Sequence, residues 1–328
     1  MFMNQTETTT AKIVIPRLYC PFPTSVSPYV DLVATDTFNF IRKFRLLESP
    51  EEQKHFAWYK MAWMTCRTMP EASREMLCCI DNFYSWLFVL DEQLDHVSPD
   101  TAYIREENYL QKLIDGFAYV LKNKVTNQDN KFFHALSDIC IRLDRMSRPS
   151  WQSQFQISVQ ATFEAAIWEA KNNKDREKHP SVAEYMHMRL FFSAANIGTD
   201  INELATGVQL PMYVLQHPDI IHLTALARRV VCWANDLFSL RKELEHGDEH
   251  NLVMMLKYHH NTTLEQAVLM AASIHDNEMR EFTACRDALP DFGEELNKRI
   301  AVYLNGLETM IAGFFHWSIT DTPRYNPY

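Results

Sequence analysis

Apolar residues recur at the three- and four-residue spacing of an α-helix along almost all of the 328-residue chain. No stretch has the sustained alternation of apolar and polar residues that indicates a half-buried strand. Prolines fall mostly between the periodic segments, as in Ser49–Pro50–Glu51–Glu52, because Pro suits the first helical position and acids suit the helix dipole. Thr262 and Glu265 have the spacing of a capping box. The pattern predicts helices at about 29–46, 51–67, 71–96, 100–123, 129–146, 150–173, 181–206, 219–244, 249–259, 263–289 and 292–316.

Glycine is scarce, and this excludes several classes of protein. The chain has 7 glycines and contains neither G-x-G-x-x-G nor G-x-x-x-x-G-K-[ST]. Dinucleotide-binding and phosphate-loop folds need such glycines, because the backbone there approaches phosphate closely. We therefore predict one all-α domain over residues 1–328. Residues 1–28 hold four prolines and are predicted to be irregular, and residues 317–328 are predicted to be a tail that packs back or moves.

Charge and cysteine content narrow the possible partners and the compartment. The formal net charge is −10, which argues against nucleic-acid binding because that requires a basic face. The 7 cysteines are scattered and no C-x-x-C occurs, as expected in a reducing, cytoplasmic compartment. The first residues resemble no signal peptide, and no apolar run is long enough to span a membrane.

Two carboxylates stand near the C-terminal end of the helix predicted at 71–96. Asp91 and Asp95 are four residues apart and therefore share one helix face. The helix dipole is negative at this end, so two acids are unfavourable there unless cations neutralise them. A divalent cation is one suitable partner. The alternative is a solvated helix end with ordinary surface acids.

A stripe of oxygen-bearing side chains follows one face of the helix predicted at 219–244. Asn235, Ser239 and Glu243 are spaced by four residues, which rotates each only about 40° from the last. An amide, a hydroxyl and a carboxylate form a hard-oxygen site suited to Mg²⁺ that shares its coordination with a phosphate. Lys242 adjoins the stripe and can reach a phosphate oxygen. A polar helix face without a ligand is the alternative for any of these residues alone.

Together these motifs resemble those of bacterial class I terpene synthases. The segment from Asn235 to Glu243 matches the family pattern [ND]-D-x-x-S-x-x-[KR]-E throughout. The segment from Asp91 to Asp95 matches the Asp-rich motif except that Glu92 replaces an aspartate.

Further similarities lie in order along most of the chain. Arg189 stands 46 residues before Asn235, the family's usual spacing for the arginine that senses diphosphate. His250–Val253 resembles the segment after the second metal helix. Trp317 with Arg324 and Tyr325 resembles the C-terminal lid, and the segment from Ile15 to Pro23 resembles the N-terminal one.

The resemblance implies a helical bundle around a central active-site cavity and the following roles. Three Mg²⁺ ions are expected to be held by Asp91, Asp95, Asn235, Ser239 and Glu243. Diphosphate is expected to be bound by Arg189, Lys242, Arg324 and Tyr325. The substrate-binding residues are expected to be Phe83, Phe88, Phe192, Ser193 and Trp317. A helix break is expected near 192–198. Apart from the resemblance, Arg228 and Arg229 are expected either to pair with Asp236 or to face solvent.

The implied reaction is the Mg²⁺-dependent ionisation and cyclisation of a linear prenyl diphosphate by a monomer or homodimer. The expected substrate is farnesyl diphosphate, giving a sesquiterpene, with geranylgeranyl diphosphate and a diterpene as the alternative. A chain-elongating prenyl diphosphate synthase would carry two Asp-rich motifs, whereas this chain has one. A non-catalytic helical scaffold would have no reason to keep all of these residues.

Overall fold

A computed structural model of the protein describes residues 13–95, 109–174 and 179–325, and every regular element within them is a helix. The α-helices are α1 (Val30–Lys43), α2 (Pro50–Trp58), α3 (Met61–Thr68), α4 (Arg74–Asp95), α5 (Tyr109–Asn123), α6 (Lys131–Met146), α7 (Pro149–Lys174), α8 (Val182–Phe192), α9 (Ala195–Thr206), α10 (Met212–Leu215), α11 (Pro218–His246), α12 (Leu252–His260), α13 (Leu264–Asp287) and α14 (Glu294–His316). A π-helix, Trp317–Asp321, follows α14 directly. The all-α prediction is confirmed.

Side-chain caps fix where two of these helices begin. Ser49 Oγ accepts from the Glu52 backbone at 3.0 Å, and Glu52 Oε2 accepts from the Ser49 backbone at 2.8 Å. The second capping box lies one residue later than predicted. Thr263 Oγ1 accepts from Gln266 N at 3.2 Å and Gln266 Oε1 accepts from Thr263 N at 3.0 Å, so α13 begins at Leu264.

Two segments predicted as single helices are each divided. The segment 51–67 forms α2 and α3, with Lys60 between them in the left-handed region at φ 52°. The segment 181–206 forms α8 and α9, with Ala194 at φ 60°. This second break falls inside the range 192–198 where one was expected. Neither break contains the Gly or Pro that usually marks one, and the short α10 was not predicted.

The helices enclose an aromatic core around α4. Trp86 is fully buried, its ring centroid lies 5.1 Å from that of Phe117, and its Nε1 donates to Phe132 O at 3.0 Å. Truncating such a side chain typically costs about 3–5 kcal/mol. A separate contact joins α11 and α13, where Trp233 Nε1 donates to Glu278 Oε2 at 2.6 Å. These two anchored helices, α4 and α11, carry the two candidate metal motifs.

Both terminal segments pack onto the helices. Residues 13–29 form no regular element, as predicted, and Tyr19 N donates to Asp276 Oδ1 of α13 at 2.8 Å. The tail predicted to begin at Trp317 starts with the π-helix and packs back onto the chain, since Arg67 Nη2 donates to Asp321 Oδ1 at 3.1 Å and Trp317 Nε1 donates to Tyr59 O at 3.0 Å. Among the helices of the described ranges, none combines the length and apolarity that a bilayer crossing requires.

Candidate active site

The oxygen stripe of α11 is held by bonds to its own helix and to the next one. Ser239 Oγ donates to the backbone oxygen of Asn235 at 2.7 Å, which fixes its orientation. Glu243 Oε2 accepts from Asn251 Nδ2 at 2.7 Å. Asn251 also donates to the backbone oxygen of Asp236 at 2.6 Å, and its Oδ1 caps α12 by accepting from Val253 N at 2.8 Å. The turn after α11 therefore positions the last residue of the stripe.

The side chain of Asp236 is the buried centre of this region. Its carboxylate accepts from Arg189 Nε at 2.7 Å, from Tyr185 Oη at 2.8 Å and from Leu252 N at 2.9 Å. All of its strong partners thus come from α8 and α12. The prediction that Arg228 or Arg229 pairs with Asp236 is wrong, because those side chains reach Thr199 and Glu278 instead.

Arg189 links this buried carboxylate to the stripe. Its Nη2 donates to Asn235 Oδ1 at 2.7 Å while its Nε is bonded to Asp236. A guanidinium presents several donors in a rigid plane, so one side chain orients both acceptors at once. The structure therefore brings Arg189 directly to Asn235.

Burial sets the electrostatics of the two acids on α11. Burial, with a further contribution from the neighbouring Asp236 carboxylate, raises the pKa of Glu243 to about 7, although hydrogen bonding from Asn251 and the charge of Arg189 oppose the rise. Burial also raises the pKa of Asp236, while the charge of Arg189 opposes the rise. The region therefore has a deficit of positive charge near Glu243.

On the α4 side, Glu92 makes the contacts that link this motif to the rest of the site. Its Oε1 accepts from Arg324 Nη1 at 2.8 Å and lies 3.9 Å from Lys242 Nζ, and its Oε2 accepts from Tyr59 Oη at 3.1 Å. Burial raises the pKa of Glu92, but the bond and charge of Arg324, with smaller contributions from Lys242 and Tyr59, leave this pKa below its usual value. We did not predict Glu92 as a site residue. The signal was its position four residues after Phe88, which places both on one face of α4.

The predicted ligands Asp91 and Asp95 lie in the last turn of the same helix. Asp91 is exposed at the C-terminal end of α4. Asp95 is the last residue of α4, and its side chain lies outside the described residues. Their roles as metal ligands stay predictions.

The C-terminal pair Arg324–Tyr325 touches both motifs. Tyr325 Oη accepts from Asn235 Nδ2 at 3.1 Å, across 90 residues of sequence. Arg324 donates its hydrogen bond to Glu92, which stands 232 residues earlier in the sequence. Because adjacent residues bond to α4 and to α11, the two motif helices face each other across this segment.

Most of the predicted substrate-binding residues lie near these groups. The Arg324 guanidinium sits 4.3 Å from the ring centroid of Phe88, and the Trp317 ring lies 5.8 Å from that of Tyr325. The Arg189 guanidinium lies 5.0 Å from the Phe192 ring.

Ser193 and Phe83 have different surroundings. Ser193 stands at the break after α8, where its Oγ is 3.2 Å from Cys232 Sγ. Phe83 is fully buried, and its ring lies 5.2 Å from that of Phe155 and 6.0 Å from that of Trp86. These contacts place Phe83 in the aromatic core around α4, so its role in the cavity stays a prediction.

The donor chemistry of α11 fits a hard divalent cation. Asn235, Ser239 and Glu243 offer oxygen atoms only, which Mg²⁺ prefers to nitrogen and sulfur. Asn235 Oδ1 accepts one bond from Arg189 and has a second lone pair, so Arg189 and a cation can share it.

Comparisons with known proteins agree with this geometry. Residues 82–281 match the family described as terpene synthase family 2, C-terminal metal binding. The chain is similar to a (+)-T-muurolol synthase, described as (2E,6E)-farnesyl diphosphate cyclizing, of Roseiflexus castenholzii, with 32% identity covering 95% of this chain and 94% of that one. It is similar to a 10-epi-cubebol synthase of Sorangium cellulosum, with 32% identity covering 94% and 97%. The solved structure of an α-eudesmol synthase superposes with a TM-score of 0.84 at 19% identity, covering 93% of this chain and 99% of that one.

Proposed function

The chain belongs to the terpene synthase family, and from this we infer that it ionises a linear prenyl diphosphate and cyclises the resulting carbocation with release of diphosphate. The observation that carries the proposal is the pair Arg324–Tyr325, which contacts Glu92 on α4 and Asn235 on α11. A diphosphate lying between these helices meets cationic and hydrogen-bonding groups from three separate parts of the chain.

The protein's own donors recognise the diphosphate in this proposal. Arg189, Lys242 and Arg324 supply positive charge, and Tyr325 supplies a hydroxyl donor. Groups already aimed at the leaving oxygen stabilise the charge that develops there as the carbon–oxygen bond breaks. Arg189 is oriented by Asp236 before substrate arrives, so little reorganisation is needed.

Metal binding is assigned to the two acidic motifs. Asp91, with Asp95, would hold Mg²⁺ from the α4 side, and Asn235, Ser239 and Glu243 would hold it from α11. When bound, three Mg²⁺ ions supply Lewis-acid charge that stabilises the diphosphate leaving group. The buried Glu243 carboxyl and its neighbour Asp236 make the α11 side a favourable place for a cation.

The hydrocarbon chain of the substrate requires a cavity that is lined by aromatic side chains and excludes water. Phe88, Phe192 and Trp317 lie beside the groups that bind diphosphate, and their ring faces can stabilise a passing cation. Because Arg324 and Tyr325 contact both motif helices, we assign to the segment from Trp317 to Tyr325 the role of excluding water that would otherwise capture the cation.

Farnesyl diphosphate is the proposed substrate and a sesquiterpene the product. A relative with 32% identity over nearly the full length is described as cyclising farnesyl diphosphate, which favours C15 over the C20 alternative. The test offers the purified protein C10, C15, C20 and C25 diphosphates with Mg²⁺ and analyses the solvent extracts by gas chromatography–mass spectrometry. We expect a C15 hydrocarbon or alcohol. A C20 product alone would overturn the substrate assignment. A lengthened diphosphate formed with isopentenyl diphosphate, or no turnover of any substrate, would overturn the reaction.

A further inference from the structure

A second cluster of metal-ligating side chains lies far from the candidate active site. His222 of α11 faces Glu281 and Cys285 of α13, and His222 Nε2 is 2.7 Å from Glu281 Oε1. One ligand atom from each of the three residues lies within 4.8 Å of the other two. His222 precedes Asn235 by 13 residues, which corresponds to about 20 Å along the helix. The cluster is therefore separate from the oxygen stripe.

The donor set differs in kind from that of the stripe. It combines an imidazole nitrogen, a carboxylate oxygen and a cysteine sulfur. Zn²⁺ accepts all three donor types, whereas Mg²⁺ is held by oxygen. The mixture of nitrogen and sulfur donors thus selects a borderline transition-metal ion.

The backbone positions of the cluster are fixed by the packing below it. Glu281 and Cys285 are four residues apart on α13 and share one face. Leu223 and Phe282, the neighbours of His222 and Glu281 in sequence, are fully buried. The bond from Trp233 to Glu278 holds the same pair of helices together further along. Only side-chain torsions therefore need to adjust when an ion enters.

The cluster is accessible and has room to adjust. The side chains of His222 and Glu281 are 42% and 49% exposed, and Cys285 is half-buried. Two ligands on a tetrahedral ion at about 2.0 Å stand roughly 3.3 Å apart, so the pair at 2.7 Å must open only slightly.

A nearby acid adds negative charge to the cluster. Asp219 precedes His222 by three residues on α11 and is exposed. Burial raises the pKa of the Cys285 thiol, and the charges of Glu281 and Asp219 raise it further. The two carboxylates disfavour the Cys285 thiolate, whereas a cation bound among these groups would favour it.

We propose that His222, Glu281 and Cys285 form a surface site for Zn²⁺ that joins α11 to α13, with Asp219 or water as the fourth ligand. Binding transfers the Cys285 thiol proton to solvent, and the thiolate forms the sulfur–metal bond. Because the ion binds the folded chain, it stabilises this pair of helices.

The test titrates the untagged, full-length protein with Co²⁺ and with Zn²⁺ in the presence of excess Mg²⁺. Co²⁺ reports a bound thiolate through a near-ultraviolet charge-transfer band, and a chromophoric chelator in competition reports Zn²⁺ affinity. The variants are His222→Ala and Cys285→Ser, with Cys78→Ser as the matched control because Cys78 is another partly buried cysteine and lies on α4. Circular dichroism checks that each variant is folded.

We expect one Zn²⁺ per chain, a thiolate band, and a melting temperature that rises with Zn²⁺ in the unchanged protein and in Cys78→Ser. Zn²⁺ affinity should fall by more than about tenfold in His222→Ala and Cys285→Ser, since even loss of a supporting contact costs that much at metal sites. Absence of the band, or a band and affinity that persist in Cys285→Ser, would overturn the proposal. Binding that is lost in Asn235→Ala but retained in His222→Ala would also overturn it.

Discussion

The α11 half and the α4 half of the candidate site are built in different ways. On α11, Asn235 and Asp236 are oriented by Arg189 and Tyr185 of α8 and by the start of α12, all within the helical core. On α4, Glu92 is bonded to Tyr59 and to Arg324, which lies beyond the last helix. The first half is therefore preorganised by the fold, whereas the second depends on the position of the C-terminal segment.

This difference separates stability from activity. A buried charge held inside the helical core destabilises the fold when it loses its partner. The Arg324 side chain is only 10% exposed, but it lies on a segment beyond the last helix, and displacement of that segment returns its charge to water. Mutations in the α11 half should therefore affect both unfolding and turnover. Mutations in the α4 half should affect turnover with little effect on unfolding.

The largest expected effect is on the stability of the α11 half. Asp236→Ala leaves the Arg189 guanidinium buried and without its carboxylate, which should lower the free energy of unfolding by about 3–5 kcal/mol. Urea unfolding followed by circular dichroism measures this, with Glu92→Ala as the matched change on α4. Equal losses of stability in the two variants would contradict the contrast between the halves.

The second largest effect is expected on turnover, and it should be similar for metal-ligand substitutions on α11 and on α4. Asn235→Ala and Asp91→Ala each remove a proposed metal ligand while the fold persists, so kcat should fall by at least about 10²–10³-fold, or roughly 2.7–4 kcal/mol. Product formation from farnesyl diphosphate measures it, and thermal melting confirms the fold. Full activity in either variant would remove that residue from the metal assignment.

A smaller effect should appear in the coupling between Glu92 and Arg324. Each single change, Glu92→Gln or Arg324→Gln, removes a charge-assisted hydrogen bond between side chains that are only 20% and 10% exposed. A double-mutant cycle on the ionisation rate should give a coupling of about 0.5–3 kcal/mol. Additive effects, or an unchanged rate and product profile in Arg324→Gln, would show that the C-terminal segment has no part in the reaction.

The smallest effect is expected for Tyr325→Phe. The change removes the hydroxyl that accepts from Asn235 and leaves the ring against Trp317, so it should cost about 0.5–1.5 kcal/mol in the activation free energy. Single-turnover kinetics measure it. A loss as large as that of Asn235→Ala would mean that Tyr325 positions the whole α11 half, against the preorganisation inferred above.

The fold was largely predictable because helical periodicity is a local signal. Eleven predicted segments contain nearly all of the described helices, with ends shifted by a few residues. The breaks at Lys60 and Ala194 were harder to predict, because both residues adopt positive φ although neither is Gly or Pro, the residue types that usually mark a break. The break near Ala194 was expected only from the family resemblance.

Site residues were predictable where their spacing along one helix places them on a common face. They were not predictable where their role depends on contacts between residues far apart in the sequence. Asn235, Ser239 and Glu243 share a face by helix geometry alone. The bonds from Arg324 to Glu92 and from Arg189 to Asp236 join residues 232 and 47 apart, so no local pattern contains them. The sequence pattern does not identify Glu92 as a site residue, for two reasons. Its partner Arg324 lies in the C-terminal segment, and Glu92 does not lie on the helix face that Asp91 and Asp95 share.

In the proposed reaction, this chain uses divalent metal to ionise farnesyl diphosphate and converts the cation to a C15 product. The most direct measurement follows diphosphate release and extractable C15 product together from farnesyl diphosphate, with Mg²⁺ and with excess EDTA. We predict equal molar amounts of the two with Mg²⁺ and neither with EDTA. Release of diphosphate in EDTA, or release with Mg²⁺ but without a C15 product, would contradict the account.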